Sequence, residues 1–337
     1  MTVNVGRKSS RVLFAVLVLI NSAWIFYVYL SITQVGTYTP AKLAGTLEGT
    51  AERPFIYRTL VPWLARVIAP AVPHSIAAQI THLPHPVQKT FNALREGGYD
   101  RQAAIVLVLM FLSLVGFAYA QQSFLTALGR VNPQEQFALP LLAQIFILPF
   151  TIFFGYIYDL PQLFLVTLGL LFMLRAEWTM YLLTLALACL NKETAVLLSA
   201  VFFIYYLRRL PFQTFLKLLT AQLLIFAAIR ILLMVLFRNN PGSALLLTLM
   251  VHYEQYREYP PAILINLAFF LPLVFLSLRG WERKHPFLRA GSVMFVALFF
   301  MYFIAGMPVE FRVFLDSLPV LSILIYPPPA DAPKSLF

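Results

Sequence analysis

The sequence predicts an all-α protein, a polytopic bundle of about ten transmembrane helices. Of its 337 residues, 60% are apolar and only 12% are Asp, Glu, Lys or Arg, whereas soluble domains carry about 25% charged residues. The mean hydropathy is +0.79. Because so few polar side chains are available to cover a water-facing surface, we expect a single transmembrane domain over residues 1–337.

The formal net charge of +11 is typical of membrane topology signals and does not indicate nucleic-acid binding. The 25 Lys and Arg residues separate apolar runs instead of clustering on one accessible face. We therefore expect no nucleic-acid partner. The single cysteine, Cys189, lies inside an apolar run and is expected to pack, because a disulfide and a thiolate metal site both need further cysteines.

The first apolar run predicts an uncleaved signal anchor with its N-terminus in the cytoplasm. Three cations precede the run 12–30, which ends in bulky residues and lacks a small-residue cleavage site. Further segments approach the length of about 20 residues that crosses a bilayer. They are 103–128, 137–156, 218–237, 262–278, 290–306 and 313–326, together with three short pieces between 160 and 207.

Placing the loops alternately inside and outside agrees with the enrichment of cations in cytoplasmic loops. Thirteen cations fall on the predicted inner side: Arg7, Lys8, Arg11, Arg130, Arg175, Arg208, Arg209, Lys217, Arg279, Arg283, Lys284, Arg289 and Lys334. The short outer loops hold only Lys192, Arg238, Arg257 and Arg312. This asymmetry favours counting the three pieces between 160 and 207 as three crossings.

The longest outer segment, residues 31–102, is predicted to carry an amphipathic helix at the membrane interface. Over 55–68 the expected apolar face consists of Ile56, Leu60, Trp63, Leu64 and Val67, with Arg58 and Arg66 pointing away. The same loop carries His74, His82 and His85. Their spacing is not that of a helical metal-binding pair, so an exposed loop is favoured over a metal site.

Charged residues with possible chemical roles fall on the predicted outer face. In the first outer loop, Glu48 and Glu52 are candidate general bases, and the pair Glu52–Arg53 is either a headgroup contact or a surface ion pair. Asp159, between two apolar segments, is either a functional carboxylate or the N-cap of the next helix. The two interpretations are compatible.

Two more breaks in the apolar pattern carry opposite charges. Lys192 and Glu193 either neutralise each other at a turn, or Lys192 binds a phosphate and Glu193 orients it or binds a hydroxyl. Before the last apolar segment, Arg312 suits bidentate phosphate binding, with Glu310 or Asp316 holding its guanidinium. A purely structural Arg–Glu network is the alternative.

The outer segment 252–259, which begins with His252, alternates tyrosines with charged residues. Such a pattern suits stacking on sugar rings, and it also describes an aromatic belt at the membrane interface. The belt is the simpler interpretation.

Taken together, these features resemble the GT-C superfamily of integral-membrane glycosyltransferases. The architecture of the whole chain is similar, and so are residues 53–62 (RPFIYRTLVP), Tyr158–Asp159, 191–194 (NKET) and 310–312 (EFR), which resemble patterns in bacterial mannosyltransferase-like members. The resemblance implies a multi-pass protein of the bacterial plasma membrane. It also implies transfer of a sugar from a polyprenyl-phosphate donor to a glycan, lipid or protein acceptor on the extracytoplasmic side.

In such an enzyme Glu52 best matches the family's base, with Glu48 behind it, and Asp159 is a third candidate catalytic carboxylate. Arg58, Lys192 and Arg312 would hold the leaving phosphate, and Arg53, Glu193, His252 and Glu310 complete the expected substrate contacts. Inversion at the anomeric carbon is the working hypothesis. A divalent metal could assist at the phosphate, but no residue set requires one.

Two other classes of function remain open. A transporter or lipid flippase would place its charges near the membrane midplane and often shows repeated halves. A non-catalytic assembly subunit would keep the fold but leave Glu48, Glu52 and Asp159 without a cavity shared with any cation.

Overall fold

The computed structural model describes residues 3–33, 35–81, 87–130, 132–243 and 247–326. In these ranges 79% of the chain is helical and no strand is present, which confirms the all-α prediction. His82, His85 and Lys334 lie outside the described residues.

The first half of the chain places four short helices between two long ones. The helices are α1 (Val3–Thr33), α2 (Leu43–Glu48), α3 (Leu60–Ile68), α4 (His74–Thr81), α5 (Gln88–Arg95), α6 (Asp100–Ala127), α7 (Pro133–Ile145) and α8 (Ile147–Thr151). A 3₁₀ turn over Phe55–Tyr57 precedes α3. Helices α2 to α5 thus lie in the predicted first outer loop.

The second half alternates long helices with breaks that carry polar residues. Its helices are α9 (Asp159–Leu174), α10 (Trp178–Asn191), α11 (Leu197–Tyr206), α12 (Phe212–Leu236), α13 (Leu249–Glu258), α14 (Pro261–Leu278), α15 (Pro286–Gly291), α16 (Val293–Ala305) and α17 (Leu318–Leu324). Two 3₁₀ segments, Glu193–Val196 and Phe311–Ser317, precede α11 and α17. The predicted division of 160–207 into three short helices is confirmed.

Five helical segments of the described chain are long and apolar enough to cross a membrane. They are Arg11–Thr33, Asp100–Ala127, Phe212–Leu236, Pro261–Leu278 and Pro286–Ala305. The other expected spans correspond to shorter helices, so the number ten stays a prediction. The expected span 137–156 is broken at Phe146, because Pro149 cannot donate a hydrogen bond to the carbonyl of Ile145 and clashes with it.

The long apolar helices differ in how much of their surface is buried, and this difference distinguishes one central helix from two peripheral ones. In α6, 56% of the most apolar window is buried, against 11% in α12 and 17% in α14. Helix α6 packs against α9, α7, α3 and α1. We infer that α12 and α14 turn most of their apolar surface toward lipid, whereas α6 forms the core of the bundle.

The predicted interfacial helix differs from the structure in one important respect. The chain leaves helical geometry at Arg58, and α3 begins at Leu60. Helix α3 buries Val61 and Ala65 and exposes Trp63. The expectation that Arg58 points away from the buried face is wrong: Arg58 is only 7% exposed, because its guanidinium is drawn inward by an ion pair with Glu193.

The orientation of the bundle predicts which loops an impermeant reagent reaches. Cys189 is fully buried, so a new surface cysteine would dominate labelling in intact cells. With the cytoplasmic N-terminus predicted by the cation distribution, Glu254→Cys on α13 should react with an impermeant maleimide, and Arg208→Cys after α11 should react only after lysis. The reverse labelling pattern contradicts the predicted topology.

Candidate functional site

Eight charged side chains from distant parts of the sequence meet at the predicted outer end of the bundle. Four are cations and four are carboxylates, and we call them the charge cluster: Arg58, Lys192, Arg230, Arg312, Asp159, Glu193, Glu310 and Asp316. Their formal charges cancel. Balanced charge is the condition under which ionised groups can remain among apolar helices.

One part of the cluster centres on Glu193. Arg58 donates two hydrogen bonds to this carboxylate, Nη2 to Oε1 at 2.7 Å and Nε to Oε2 at 3.3 Å. Arg230 of α12 donates from Nη2 to Oε2 at 3.4 Å. Both arginine side chains are largely buried, whereas the side chain of Glu193 is 40% exposed. Glu193 therefore aligns two guanidiniums at an accessible surface.

A second part centres on Arg312. Its Nη2 lies 2.5 Å from Oε1 of Glu310, and its Nη1 lies 3.4 Å from Oδ1 of Asp159. Asp159 is the first residue of α9, and its Oδ2 accepts a hydrogen bond from the backbone of Tyr156 at 2.9 Å. The N-cap interpretation is therefore wrong for Asp159: Tyr158 holds the cap position, and the carboxylate faces Arg312.

The deepest part is the pairing of Lys192 with two aspartates. Lys192 Nζ lies 3.3 Å from Oδ2 of Asp316 and 3.8 Å from Oδ1 of Asp159, and Thr194 donates its hydroxyl hydrogen to Asp316. Lys192 and Glu193 do not neutralise each other, in contrast to the simpler expectation. The backbone of Lys192 is extended, and successive side chains of an extended chain point to opposite sides.

Stacked aromatic rings position two of the arginines. Tyr156 stacks between Phe55 and Tyr158, with ring centroids 5.7 and 5.2 Å apart. The guanidinium of Arg312 lies 4.0 Å from the ring centroid of Tyr156, and that of Arg58 lies 4.4 Å from Tyr158 and also donates to its hydroxyl. These cation–π contacts limit the rotamers of both arginines.

The exposed side of the charge cluster lines a cavity of about 380 Å³, which we call the charged cavity. Its ionised lining consists of three arginines and two glutamates, a net charge of +1: Arg58, Arg230, Arg312, Glu193 and Glu310. Apolar side chains form another wall: Phe154, Phe226, Met234, Ala305 and Met307. A positively charged recess with an apolar flank can hold an anionic amphiphile. Asp159, Asp316 and Lys192 lie behind this surface.

Glu52 is not a lining residue of the charged cavity, but Pro54 and Phe55, two and three positions later, are. Burial raises the pKa of Tyr38, which lines the cavity, above its ordinary value, and the carboxylates of Glu52 and Glu310 raise that pKa further. The backbone N–H of Glu52 donates to the carbonyl of Pro40 at 3.3 Å, which places Glu52 near the Tyr38 segment. In the described part of the chain, the Glu52 side chain has no ion pair or hydrogen bond.

Two other expected residues of the first outer loop, Glu48 and Arg53, do not line the charged cavity. Glu48 accepts a hydrogen bond from the hydroxyl of Tyr99 at 3.1 Å. The backbone of Arg53 donates to the carbonyl of Pro241 at 2.8 Å and pairs with Gly242. A Cβ at Gly242 would approach the Arg53 carbonyl oxygen to 2.6 Å. This contact therefore docks the loop after α12 onto the first outer loop.

His252 lies behind the cavity wall. It is 2% exposed, and its Nδ1 lies 3.1 Å from the carbonyl oxygen of Thr248, which itself lines the cavity. Burial lowers the pKa of His252. Within the described ranges, no group of three His, Cys, Asp or Glu side chains could hold a metal ion.

Sequence reasoning overlooked Arg230, because it falls inside the predicted span 218–237. A cation within an apolar run is itself a signal of function, since an unpaired charge there is costly. Phe226, Arg230 and Met234 follow a spacing of four residues and line the charged cavity together. That spacing would have identified the cavity-facing side of α12.

The molecule so described belongs to the class of helical membrane proteins with a charged cavity at one end of the bundle. Comparison with protein-family models, curated proteins and solved structures finds no match.

The pairing of Lys192 with two aspartates predicts that replacing Lys192 strongly destabilises the protein. A second substitution, at one of the aspartates, should restore part of the lost stability. Lys192→Met should lower the free energy of unfolding by about 3–5 kcal/mol, because two buried aspartates lose their shared cation. The double variant Lys192→Met/Asp316→Asn should lose less, since one uncompensated charge is removed as well. Unfolding in detergent micelles measures both losses. An equal loss in the single and double variants contradicts the pairing.

Proposed function

We propose that the protein is an integral-membrane glycosyltransferase that moves a sugar from a polyprenyl-phosphate donor to an acceptor on the extracytoplasmic face. The observation that carries this proposal is the convergence of Arg58, Arg230 and Arg312 on one cavity with an apolar wall. The GT-C resemblance of residues 53–62, 158–159, 191–194 and 310–312 supports it.

The charge of the cavity fits a phosphodiester. A sugar linked to a lipid through one phosphate carries a single negative charge, which complements the net +1 of the lining residues. Guanidiniums bind phosphate oxygens through paired N–H groups. Because Glu193 and the aromatic stack already align the arginines, little ordering remains to be done when the donor binds.

The apolar wall accommodates the donor's hydrocarbon chain. Phe226 and Met234 belong to α12, most of whose surface is exposed in the isolated chain. Ala305 ends α16, and Met307 follows it. A chain leaving the phosphate between these elements would pass directly into the bilayer, so its burial favours binding.

Glu52 is the carboxylate best suited to act as general base. Glu193 and Glu310 are held by arginines, and Asp159 and Asp316 are fully buried in ion pairs. A carboxylate that accepts hydrogen bonds from a guanidinium is a weaker base than a free one. Glu52 is half-buried, its backbone donates to the carbonyl of Pro40, and its carboxylate has no partner among the described residues. Asp159 is then a positioning residue for Arg312.

The proposed reaction is a direct displacement at the anomeric carbon of the donor sugar. The acceptor hydroxyl oxygen attacks the anomeric carbon while Glu52 takes the hydroxyl proton. The bond between the anomeric carbon and the phosphate oxygen breaks, and its electron pair stays on the lipid phosphate. Arg58, Arg230 and Arg312 stabilise the additional charge on that phosphate. A single displacement inverts the anomeric configuration.

Replacement of Glu52 tests the proposal. Glu52→Gln should lower the rate of hexose transfer from a labelled polyprenyl-phosphate donor by about 10²- to 10⁴-fold, the usual contribution of a general base. Donor binding should persist, because the arginines are unchanged. The matched control is Glu48→Gln, four residues earlier in the same loop.

The role of Glu52 and the transferase activity are tested by different outcomes. Full transfer by Glu52→Gln removes Glu52 from the role of base. If no polyprenyl-phosphate hexose is bound or consumed by the unaltered protein, the proposed transferase activity is wrong.

A further inference from the structure

A second cavity, of about 410 Å³, lies beside the charged cavity, and we call it the apolar cavity. Its lining is apolar apart from two threonines and two arginines, and it includes Thr46, Gly49, Trp63, Arg66, Leu232 and Leu236. Among the described residues, Arg58 is the one that lines both cavities. The donor's phosphate and chain do not need this second cavity.

Helix α12 separates the two cavities. Phe226, Arg230 and Met234 line the charged cavity, whereas Leu232 and Leu236 line the apolar one. Each set follows the four-residue spacing of one helical face. The same helix thus offers a charged face to one ligand and a purely apolar face to another.

The apolar cavity opens toward lipid. Three of its apolar lining residues are more than half exposed, namely Trp63 at 57%, Leu232 at 54% and Leu236 at 63%. They belong to α3 and to the last turns of α12, a candidate membrane span. A hydrocarbon chain can therefore enter the apolar cavity from the side.

The polar end of the apolar cavity carries an available cation. Arg66 is exposed and has no ion pair or hydrogen bond within the described ranges, whereas Arg58 is committed to Glu193 and Tyr158. Thr46 and Gly49 lie at the same cavity. They belong to the segment that leads directly to Glu52, the proposed base.

We propose that the apolar cavity binds the acceptor, and that the acceptor is a membrane-anchored anionic amphiphile. Its hydrocarbon chain lies against Trp63, Leu232 and Leu236, and its anionic headgroup pairs with Arg66. The headgroup then lies beside the segment that carries Glu52. The assignment of this ligand as acceptor rests on the proposed function, whereas the binding site itself does not.

Intrinsic fluorescence tests the site, because Trp63 lies at its mouth. The chain has four tryptophans, so Trp24→Phe, Trp178→Phe and Trp281→Phe leave Trp63 as the single reporter. In vesicles, brominated phosphatidylglycerol should quench Trp63 about fivefold more effectively than brominated phosphatidylcholine at equal mole fraction. Arg66→Gln should abolish this preference. Arg238→Gln, another exposed cation on the predicted outer side, should leave it intact.

Equal quenching by the two lipids overturns the anionic site, and so does a preference that survives Arg66→Gln. This result is independent of any transfer activity. The site can therefore be supported even if the proposed function fails.

Transfer in native membranes tests the role as acceptor site. After mild acid has destroyed the labelled polyprenyl-phosphate hexose, labelled product should remain in the organic-solvent extract. Leu236→Trp should reduce that product severalfold by filling the cavity, with the rate of donor binding unchanged. The matched control is Leu224→Trp, because Leu224 is also 63% exposed on α12 but does not line the apolar cavity.

Product found only in the aqueous or protein fraction overturns the acceptor assignment. The assignment is also overturned if Leu236→Trp and Leu224→Trp are equally active while Trp63 is still quenched preferentially by the anionic lipid. The apolar cavity would then hold a structural lipid. If neither the variants nor the unaltered protein consumes donor, the proposed transferase activity is wrong. The quenching experiment then decides by itself whether the apolar cavity binds an anionic lipid.

Discussion

Neutralisation of buried charge is the constraint on which the charged end of this bundle depends. Four cations and four carboxylates lie among apolar helices, and each has at least one partner of opposite charge. Removing one partner of a buried pair costs about 3–5 kcal/mol, a large share of the stability of an ordinary domain. The first outer loop, α9, the break after α10, α12 and the segment before α17 are consequently held in one arrangement.

The ion pairs also divide the charged side chains into two sets: those that only support the structure and those that can contact a ligand. Lys192, Asp159 and Asp316 use their charges on one another behind the cavity surface. Arg58, Arg230 and Arg312 are held by Glu193, Glu310, Asp159 and the aromatic stack, yet they still line the charged cavity. These carboxylates are occupied by guanidiniums, whereas the Glu52 side chain has no ion pair or hydrogen bond in the described part of the chain. The same charge balance thus accounts for stability and limits the chemistry that the cavity can perform.

Much of the helical architecture follows from local sequence. The breaks at 175–177 and 191–193 were recognisable because polar residues interrupt apolar runs, and both separate helices in the structure. The interruption at Phe146 was missed, although Pro149 explains it by local geometry. At Arg58 local reasoning failed for another reason: helical periodicity placed this side chain on a polar face, but its ion pair with Glu193 turned it inward. Arg230 was hidden by the apolar residues around it.

The sequence alone determined that the chain is helical, that most of its surface is apolar, and that its charges interrupt the helices at a few places. These properties depend on neighbours within a few positions in the chain. Only the tertiary structure decided which charges meet, because Arg58 and Glu193 are 135 residues apart and Arg312 and Asp159 are 153 apart. Electrostatic pairing depends on distance in space, and helix packing creates that proximity between segments that no local pattern connects.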